Sequence, residues 1–415
     1  MEKLFEEMLK ALYEGKIPKN VLFSGFSLKV AQLLMSNWKK NYKRKVTYDI
    51  PDNNYNVVIE NNLFAFAHAK TYTELQQLKL MLEEEGKAIS FSQFKKKVAG
   101  LHQKFNETYL QAEFQNVKSS AIMGSKWMEI EATKRRFPYL KYTTEGDDRV
   151  RPEHDAMNGI VLPIDDTFWN SYYPPNGWRC RCTVQRLSKR SIKNGKFKVT
   201  DSNEAGKIGG QNVKDKYWRK NIGKTVVFEE NKHPYFQAVP NKKPQELKAV
   251  QHYNMKKPSQ IYADPEKLNS YKGSIKSEED FHKWKESMLK KHGRNGLKNA
   301  FVLKDRSGQE VLFDQSFLAH PFDHPRRKAK KRWLFYDELE EVFHNPDEVW
   351  SFTTGVRKKD GVKTKSYIKY YKDYPLLLTC EINGNELKGV TFYKYDTDNI
   401  DNLESKRKGV LIHKK

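Results

Sequence analysis

Two histidines, His320 and His324, flank the start of a segment, 326–332, in which six of seven residues are basic: Arg326, Arg327, Lys328, Lys330, Lys331 and Arg332. An imidazole takes or gives a proton near neutral pH, and cations beside it stabilise an oxyanion as charge develops. The spacing marks an acid–base centre facing a polyanion. Further along, Tyr367, Lys369 and Tyr371 alternate onto one face of a strand, and Thr391 and Tyr393 share a face of another. Arg407, Lys408 and His413 follow near residue 410. Taken singly, each also fits a solvated charge or a sheet-surface aromatic; the set carries more weight than any member. No cluster of carboxylates suited to catalytic metals accompanies them, so metal-free chemistry and no cofactor are expected.

A second group is His154 with Cys180 and Cys182. The chain has three cysteines, which by odd count and spacing excludes a disulfide framework. The pair can join His154 and one of Asp147, Asp148 or Asp155 as metal ligands. The two-residue gap of a zinc knuckle is missing, however, and packed reduced thiols without metal are the expectation. His154 beside Asp148 and Arg151 also has the makings of an acid–base pair, although a structural hydrogen-bonding role is the simpler reading.

Charge supports a polyanionic neighbour. Lysine and arginine number 76 against 52 acidic residues, a formal net charge of +24. Eight basic residues and no acidic one fall between Arg179 and Thr200. No apolar run approaches the roughly 20 residues of a membrane span, and the amino-terminal segment has no secretory pattern.

The elements that must position these groups show as periodicity and punctuation. Leu4, Phe5, Met8, Leu9 and Leu12 line one helix face. Between about 60 and 135 three helices are expected. The first opens on a Thr71/Glu74 capping box and stops at Gly86, the second opens on Ser90/Gln93, and the third runs from about Glu107. From 137 to 190, Pro152, Pro163, Pro174 and Pro175 exclude long helices, leaving short strands at Gly159–Pro163 and Arg179–Leu187 around a Pro175-Asn176-Gly177 turn. Residues 201–262 read as a loop-rich connector that lets the two sides fold independently. Beyond it, Ser277 and Asp280 open a helix, Ser307-Gly308 turns a hairpin, and a basic helix spans about Arg326 to His344 before Asn345-Pro346. Four strands follow, EVWSFTTGVR, TKSYIKYYKD, YPLLLTCEIN and KGVTFYKYDT, the last two joined at Asn383-Gly384. The fold class is multidomain α+β: a helical body over 1–135, a small mixed module over 136–200, the connector, and over 263–415 a helix packed on an antiparallel meander.

The stretch DRVRPEHDAMNGIVLPIDDTFWNSYYPPNGWRCRCTVQRL resembles the phage Mu F-like minor head proteins. The resemblance rests on Asp148, Arg149, Arg151, His154 and Gly159, then Asp165-Asp166 with Trp169, then Pro174-Pro175-Asn176-Gly177-Trp178 and Arg179 to Cys182. Flanking segments extend it to roughly 60–240. It implies a minor component of a phage or prophage head, made in the host cytoplasm. Its partners would be portal and major capsid proteins, its role head assembly or handling of genomic DNA, with no membrane.

The hairpin before His320, HNPDEVW, SYIKYY, GVTFYKY and RKGVLIHKK resemble phage-encoded nucleases of the barnase, EndoU, colicin and RelE fold. That resemblance implies a metal-independent RNase acting as toxin or effector, with an immunity protein as a further partner. RNA cleavage of this kind needs a base for the 2′-hydroxyl, an acid for the 5′-oxygen and cations at the phosphorane. His320 and His324 would do acid–base work, Lys369 and Arg407 would stabilise charge, and Thr391 and Tyr393 would complete the site. Arg326, Arg327, Lys328, Arg332, Tyr367 and Lys408 would hold RNA. Two alternatives stand: an inactive nucleic-acid-binding remnant, and a metal-dependent enzyme built on His154, Cys180 and Cys182.

Overall fold

The structure, a computed structural model, describes residues 1–18, 20–83, 90–240, 243–354, 362–383, 386–396 and 398–415. Contacts gather the chain into two compact units: Met1–Lys29, Val46–Leu75 and Ala238–Lys415 in one, Val30–Lys45 and Gln76–Gln237 in the other. This division is not the linear one expected at 135, 200 and 262. Residues well before position 80 share a core with the carboxy-terminal segment.

Helices α1 (Glu2–Tyr13), α2 (Ser24–Asn41), α3 (Pro51–Glu83), α4 (Phe91–His102) and α5 (Leu110–Thr133) form the first part of the chain. In α1 the expected face is buried at Phe5, Met8, Leu9 and Leu12. The Ser90/Gln93 capping box opens α4, with Gln93 N–H donating to Ser90 Oγ at 3.2 Å and Ser90 N–H to Gln93 Oε1 at 2.8 Å. A π-helical stretch, Gln103–Tyr109, joins α4 to α5. The Thr71/Glu74 box is different: both residues lie fully buried inside α3. Helix formation starts instead at Pro51, whose fixed φ suits a first helical position, and no later Pro or Gly interrupts the run to Glu83. Gly86 lies outside the described residues.

In the unit holding residues 76–237, β1 (Tyr139–Thr143), β2 (Val161–Pro163) and β3 (Thr183–Leu187) make an antiparallel sheet in the order β2-β1-β3. The segment EAGKIGGQN, expected as loop, forms the helix Ser202–Asn212, capped by Asp201 accepting from the Glu204 N–H at 3.0 Å. Its glycines serve packing: a Cβ on Gly209 would stand 2.6 Å from the Tyr172 ring. Close approach there outweighs the helix propensity lost.

The other unit carries β4 (Phe301–Lys304), β5 (Glu310–Phe313), β6 (Glu348–Thr354), β7 (Val362–Tyr370), β8 (Pro375–Asn383), β9 (Glu386–Lys394) and β10 (Val410–Lys414), ordered β10-β6-β7-β8-β9-β5-β4. The expected meander is present from β6 to β9, antiparallel throughout, and β5 and β9 pair in parallel. Gly384 of the expected Asn383-Gly384 turn, and the end of EVWSFTTGVR, lie outside the described residues. The β4–β5 turn takes Gly308 to φ +82°, and Asp305 Oδ1 accepts from the Ser307 and Gln309 N–H groups. Ser277 and Asp280 cap the helix Glu278–His292 as expected. Phe313, Phe317, Tyr336, Phe343, Tyr367 and Phe392 pack ring against ring between helices and sheet.

The basic helix is not continuous. It divides into Pro325–Ala329, a 3-10 turn Arg332–Glu338 and Leu339–His344, with Lys331 between the first two at φ +45°. Like charges three and four positions apart oppose a single helix here. The break turns Arg332 toward the sheet.

Candidate active site

The helix Gln315–Ala319 is capped by Asp314, whose carboxylate accepts from the Ser316 and Phe317 N–H groups. It delivers His320 to a half-buried position. The His320 Nδ1 atom is shielded from solvent and has no hydrogen-bond partner among the described residues. Burial holds this imidazole below its ordinary pKa; Arg327 and Arg332 press the same way, against Asp323. The ring is therefore neutral at pH 7, the state a base requires.

Arg327 reaches back one turn to Asp323, Nη1 to Oδ1 at 2.5 Å. That bond is the main cause of the low Asp323 carboxyl pKa, and the Arg327 charge adds to it. His324 is exposed and caps Pro325–Ala329, its Nδ1 accepting from the Arg326 N–H at 3.2 Å. The Arg332 guanidinium lies 4.8 Å from the centre of the Tyr393 ring, within cation–π range. Thr391 shares that strand face of β9 and is half-buried. Arg326 and Lys328 are exposed on the short helix, Lys328 standing 3.6 Å from Glu278. His320, His324, Arg327, Arg332 and Tyr393 are thus brought into one neighbourhood. Asp323 is the member that sequence reasoning passed over; an acid four positions before Arg327 on a short helix was the available signal.

Four expected site residues are elsewhere, and the three that are buried, Arg407, Lys369 and Tyr367, must be corrected. Arg407 is fully buried, its Nε and Nη2 donating to both Glu348 oxygens at 2.8 and 2.7 Å and its Nη1 to Glu404 at 2.9 Å. Nη1 also donates to the Lys256 carbonyl at 2.9 Å, so four of the five N–H donors are engaged, and with no exposed surface the group cannot meet a phosphate. Lys369, 2% exposed, donates to Glu341 at 2.9 Å and to the Asn345 carbonyl at 2.6 Å. Tyr367 is buried, its hydroxyl donating to Asp305 Oδ2 at 3.0 Å. All three hold the core together. Lys408 is exposed beside Arg407, bridged through its backbone to Lys248. His413, on β10, is held down to a pKa of about 4, chiefly by burial.

The motif group lies in the other unit. Trp169 Nε1 donates to the Pro163 carbonyl at 3.0 Å, and Gly159 takes φ +89°, a conformation glycine adopts freely. Pro175 follows a cis peptide bond, and Asp148 sits in the turn before Arg151. A Cβ on Gly177 would fall 2.6 Å from Arg151 Nη2, which itself contacts the Trp178 carbonyl at 3.2 Å and His154 Nε2 at 3.3 Å. Trp178 packs edge-on against Trp218 at 5.1 Å. His154, Cys180 and Cys182 are all buried, with Nδ1 at 3.7 Å from Cys180 Sγ and 3.5 Å from Cys182 Sγ. A hydrogen bond from Cys182 holds the Cys180 thiol well below its usual range, and His154 adds to this. The basic run after Arg179 is partly spent on pairing: Arg181 grips Asp147 at 2.7 and 2.6 Å, and Arg186 grips Glu129 at 2.7 Å.

Residues 68–185 match the family described as Phage Mu protein F like protein, and residues 287–414 the family described as phage-Barnase-EndoU-ColicinE5/D-RelE like nuclease2. The chain carries a Mu F-like segment followed by a nuclease-family segment. It is similar to the putative capsid assembly protein F of Escherichia phage Mu, 39% identical over 83 residues, covering 20% of this chain and 19% of that one. The Mu-like prophage FluMu F protein of Haemophilus influenzae is 38% identical over 65 residues, 16% of each chain. This chain thus spans less than a fifth of the length of the curated relatives it matches. No solved structure matches. The motif group falls within the Mu F-like segment and the His320 group within the nuclease-family segment. Among the described residues, no helix is long and apolar enough to cross a membrane.

Proposed function

We propose that this chain is a minor phage-head protein whose nuclease-family segment cleaves RNA without a metal. Partners on the head side would be portal and major capsid proteins, and an immunity protein would be needed wherever the nuclease is made in a host cell. The observation that carries the cleavage reading is His320: neutral, its Nδ1 unpartnered, with Arg327 and Arg332 acting on it.

In this reading the neutral His320 imidazole takes the proton of a ribose 2′-hydroxyl. The 2′-oxygen attacks phosphorus, and the 5′-oxygen leaves with a proton from the imidazolium form of His324, which gives up its cap to the Arg326 N–H when Nδ1 is protonated; the products are a cyclic phosphate and a free 5′-hydroxyl. Arg327 and Arg332 offset the charge that builds on the phosphorane. Tyr393, already under a guanidinium, offers a ring face for a base. Arg326 and Lys328, exposed beside the group, supply salt-dependent backbone affinity.

The test is cleavage of a single-stranded RNA by the full chain in EDTA. His320→Ala should reduce the rate 10²–10⁴-fold, about the usual contribution of a positioned acid or base. Full activity in His320→Ala removes the assigned base. A folded wild type that binds RNA and cleaves none, with or without added metal, replaces the enzyme by an RNA-binding remnant.

A further inference from the structure

We propose that His154 Nδ1, Cys180 Sγ and Cys182 Sγ bind a zinc ion, completed by a fourth ligand from solvent. The inference is independent of the nuclease reading and concerns the Mu F-like segment alone.

Three potential ligand atoms, contributed by residues up to 28 positions apart in sequence, lie within 4.8 Å of one another in a buried site. Their spacing can be checked against the metal's own geometry. Zinc bonds of about 2.3 Å to sulfur and 2.0–2.1 Å to nitrogen, at tetrahedral angles, separate S and N by about 3.6 Å. The observed separations are 3.7 and 3.5 Å. One ring nitrogen nearly equidistant from two sulfurs is the pattern a shared metal produces, whereas a single N–H directs one good hydrogen bond to one sulfur.

Charge and surroundings agree. Two thiolates and one Zn²⁺ sum to zero, so the buried site costs little to desolvate once loaded. The Asn176 side chain is 4% exposed and its Nδ2 has no partner among the described residues, although its Oδ1 accepts from the Tyr142 hydroxyl at 3.0 Å. Asn176 lines the same cavity as His154, so this spare donor is available to a metal-bound water. That cavity, of about 430 Å³ and lined also by Arg151, Trp178 and Trp218, gives the ion a route from solvent.

One contact must change on loading. With metal on Nδ1 the proton sits on Nε2, where Arg151 Nη2 now stands at 3.3 Å. The guanidinium then keeps its Trp178 carbonyl contact, at 3.2 Å, and gives up the ring. Arg151 therefore works against the metal, and Arg151→Met should hold zinc at least as tightly as the wild type.

The experiment is metal analysis of the full chain, purified reduced and without chelator, with cobalt exchange as the second measurement. About one zinc per chain is expected, falling to background in Cys180→Ser/Cys182→Ser. Because that variant can fail by unfolding, wild-type protein reconstituted with Co²⁺ alone is read by absorption: intense sulfur-to-cobalt bands with tetrahedral d–d bands support the site. Folded wild type without zinc, and with no thiolate bands after cobalt addition, overturns it. So does a Cys180–Cys182 disulfide found by mass in protein purified with reductant, or weaker zinc binding in Arg151→Met.

Discussion

Glu60 and Lys365 stand 305 positions apart in sequence and 2.7 Å apart in a buried ion pair. Asp305 lies on the same ammonium at 2.6 Å and also receives the Tyr367 hydroxyl at 3.0 Å. Burial raises the Asp305 carboxyl pKa, but Lys365, helped by hydrogen bonds from Ser307 and the Gln309 N–H, offsets this and brings it down to about 2. Three charges in one core hold only as a set. Lys365→Met strands two carboxylates and should destabilise by about 3–5 kcal/mol, the usual cost of breaking a buried pair. Urea unfolding monitored by Trp350 environment and by far-UV dichroism measures it; a loss under 1 kcal/mol, about the worth of a surface pair, would place the network in contact with water.

His68 sets an acid limit on the same unit. Its Nε2–H donates to the Leu411 carbonyl at 2.8 Å, Nδ1 meets Ser27 Oγ at 2.9 Å, and burial brings its pKa down to about 4 from 6.5. The folded value is the lower one, so the unfolded chain takes up the proton first. Stability from this residue is full above pH 6.5 and drains as pH falls toward 4, by about 3 kcal/mol in all. Unfolding titrations across that window should show the slope in wild type and a shallower one in His68→Gln; equal slopes would assign it to other groups.

Arg327 should tune the proposed base. It depresses the His320 pKa, second only to burial among the causes acting downward, while occupying Asp323. Arg327→Gln removes a positive neighbour and frees a negative one, so the His320 pKa rises. The acidic limb of the RNA-cleavage profile should then move to higher pH, beyond any fall in maximal rate. A lower rate with an unmoved limb would leave Arg327 as a phosphate contact only.

A fragment of residues 263–415 should not reproduce the stability of its unit. It lacks Glu60 and His68, and also Tyr253, which donates to the Gly409 carbonyl at 3.0 Å and packs on Trp350 at 5.4 Å. It also lacks the Lys256 carbonyl that accepts from Arg407 at 2.9 Å. Thermal melts should show a cooperative transition in the full chain and a broad or absent one in the fragment. A sharp transition within a few degrees of the full chain would make these partners dispensable.

Much of this protein was legible before any coordinates. The Ser90/Gln93 and Ser277/Asp280 boxes, the Phe5, Met8, Leu9 and Leu12 face of α1, the Gly308 turn and the β6–β9 meander are local matters. Their energies depend on neighbours within a few positions, so residue type and spacing suffice to find them. His320, His324 and Arg327 could be grouped as candidates because they share one short segment, whereas Asp323, within the same segment, was passed over. Thr71/Glu74 and the glycine-rich 202–212 misled because the same local signals were overruled, by helix already formed from Pro51 and by the Tyr172 ring packed on Gly209. The division of the basic residues was different in kind. Arg332 and Arg407 are the same residue type on the same excess of charge; one lies against Tyr393 in the candidate site, and the other is locked on Glu348. Sequence determined that both are cations, but only tertiary structure decided which is free to meet a phosphate, because desolvation and pairing are set by partners that folding brings from far along the chain.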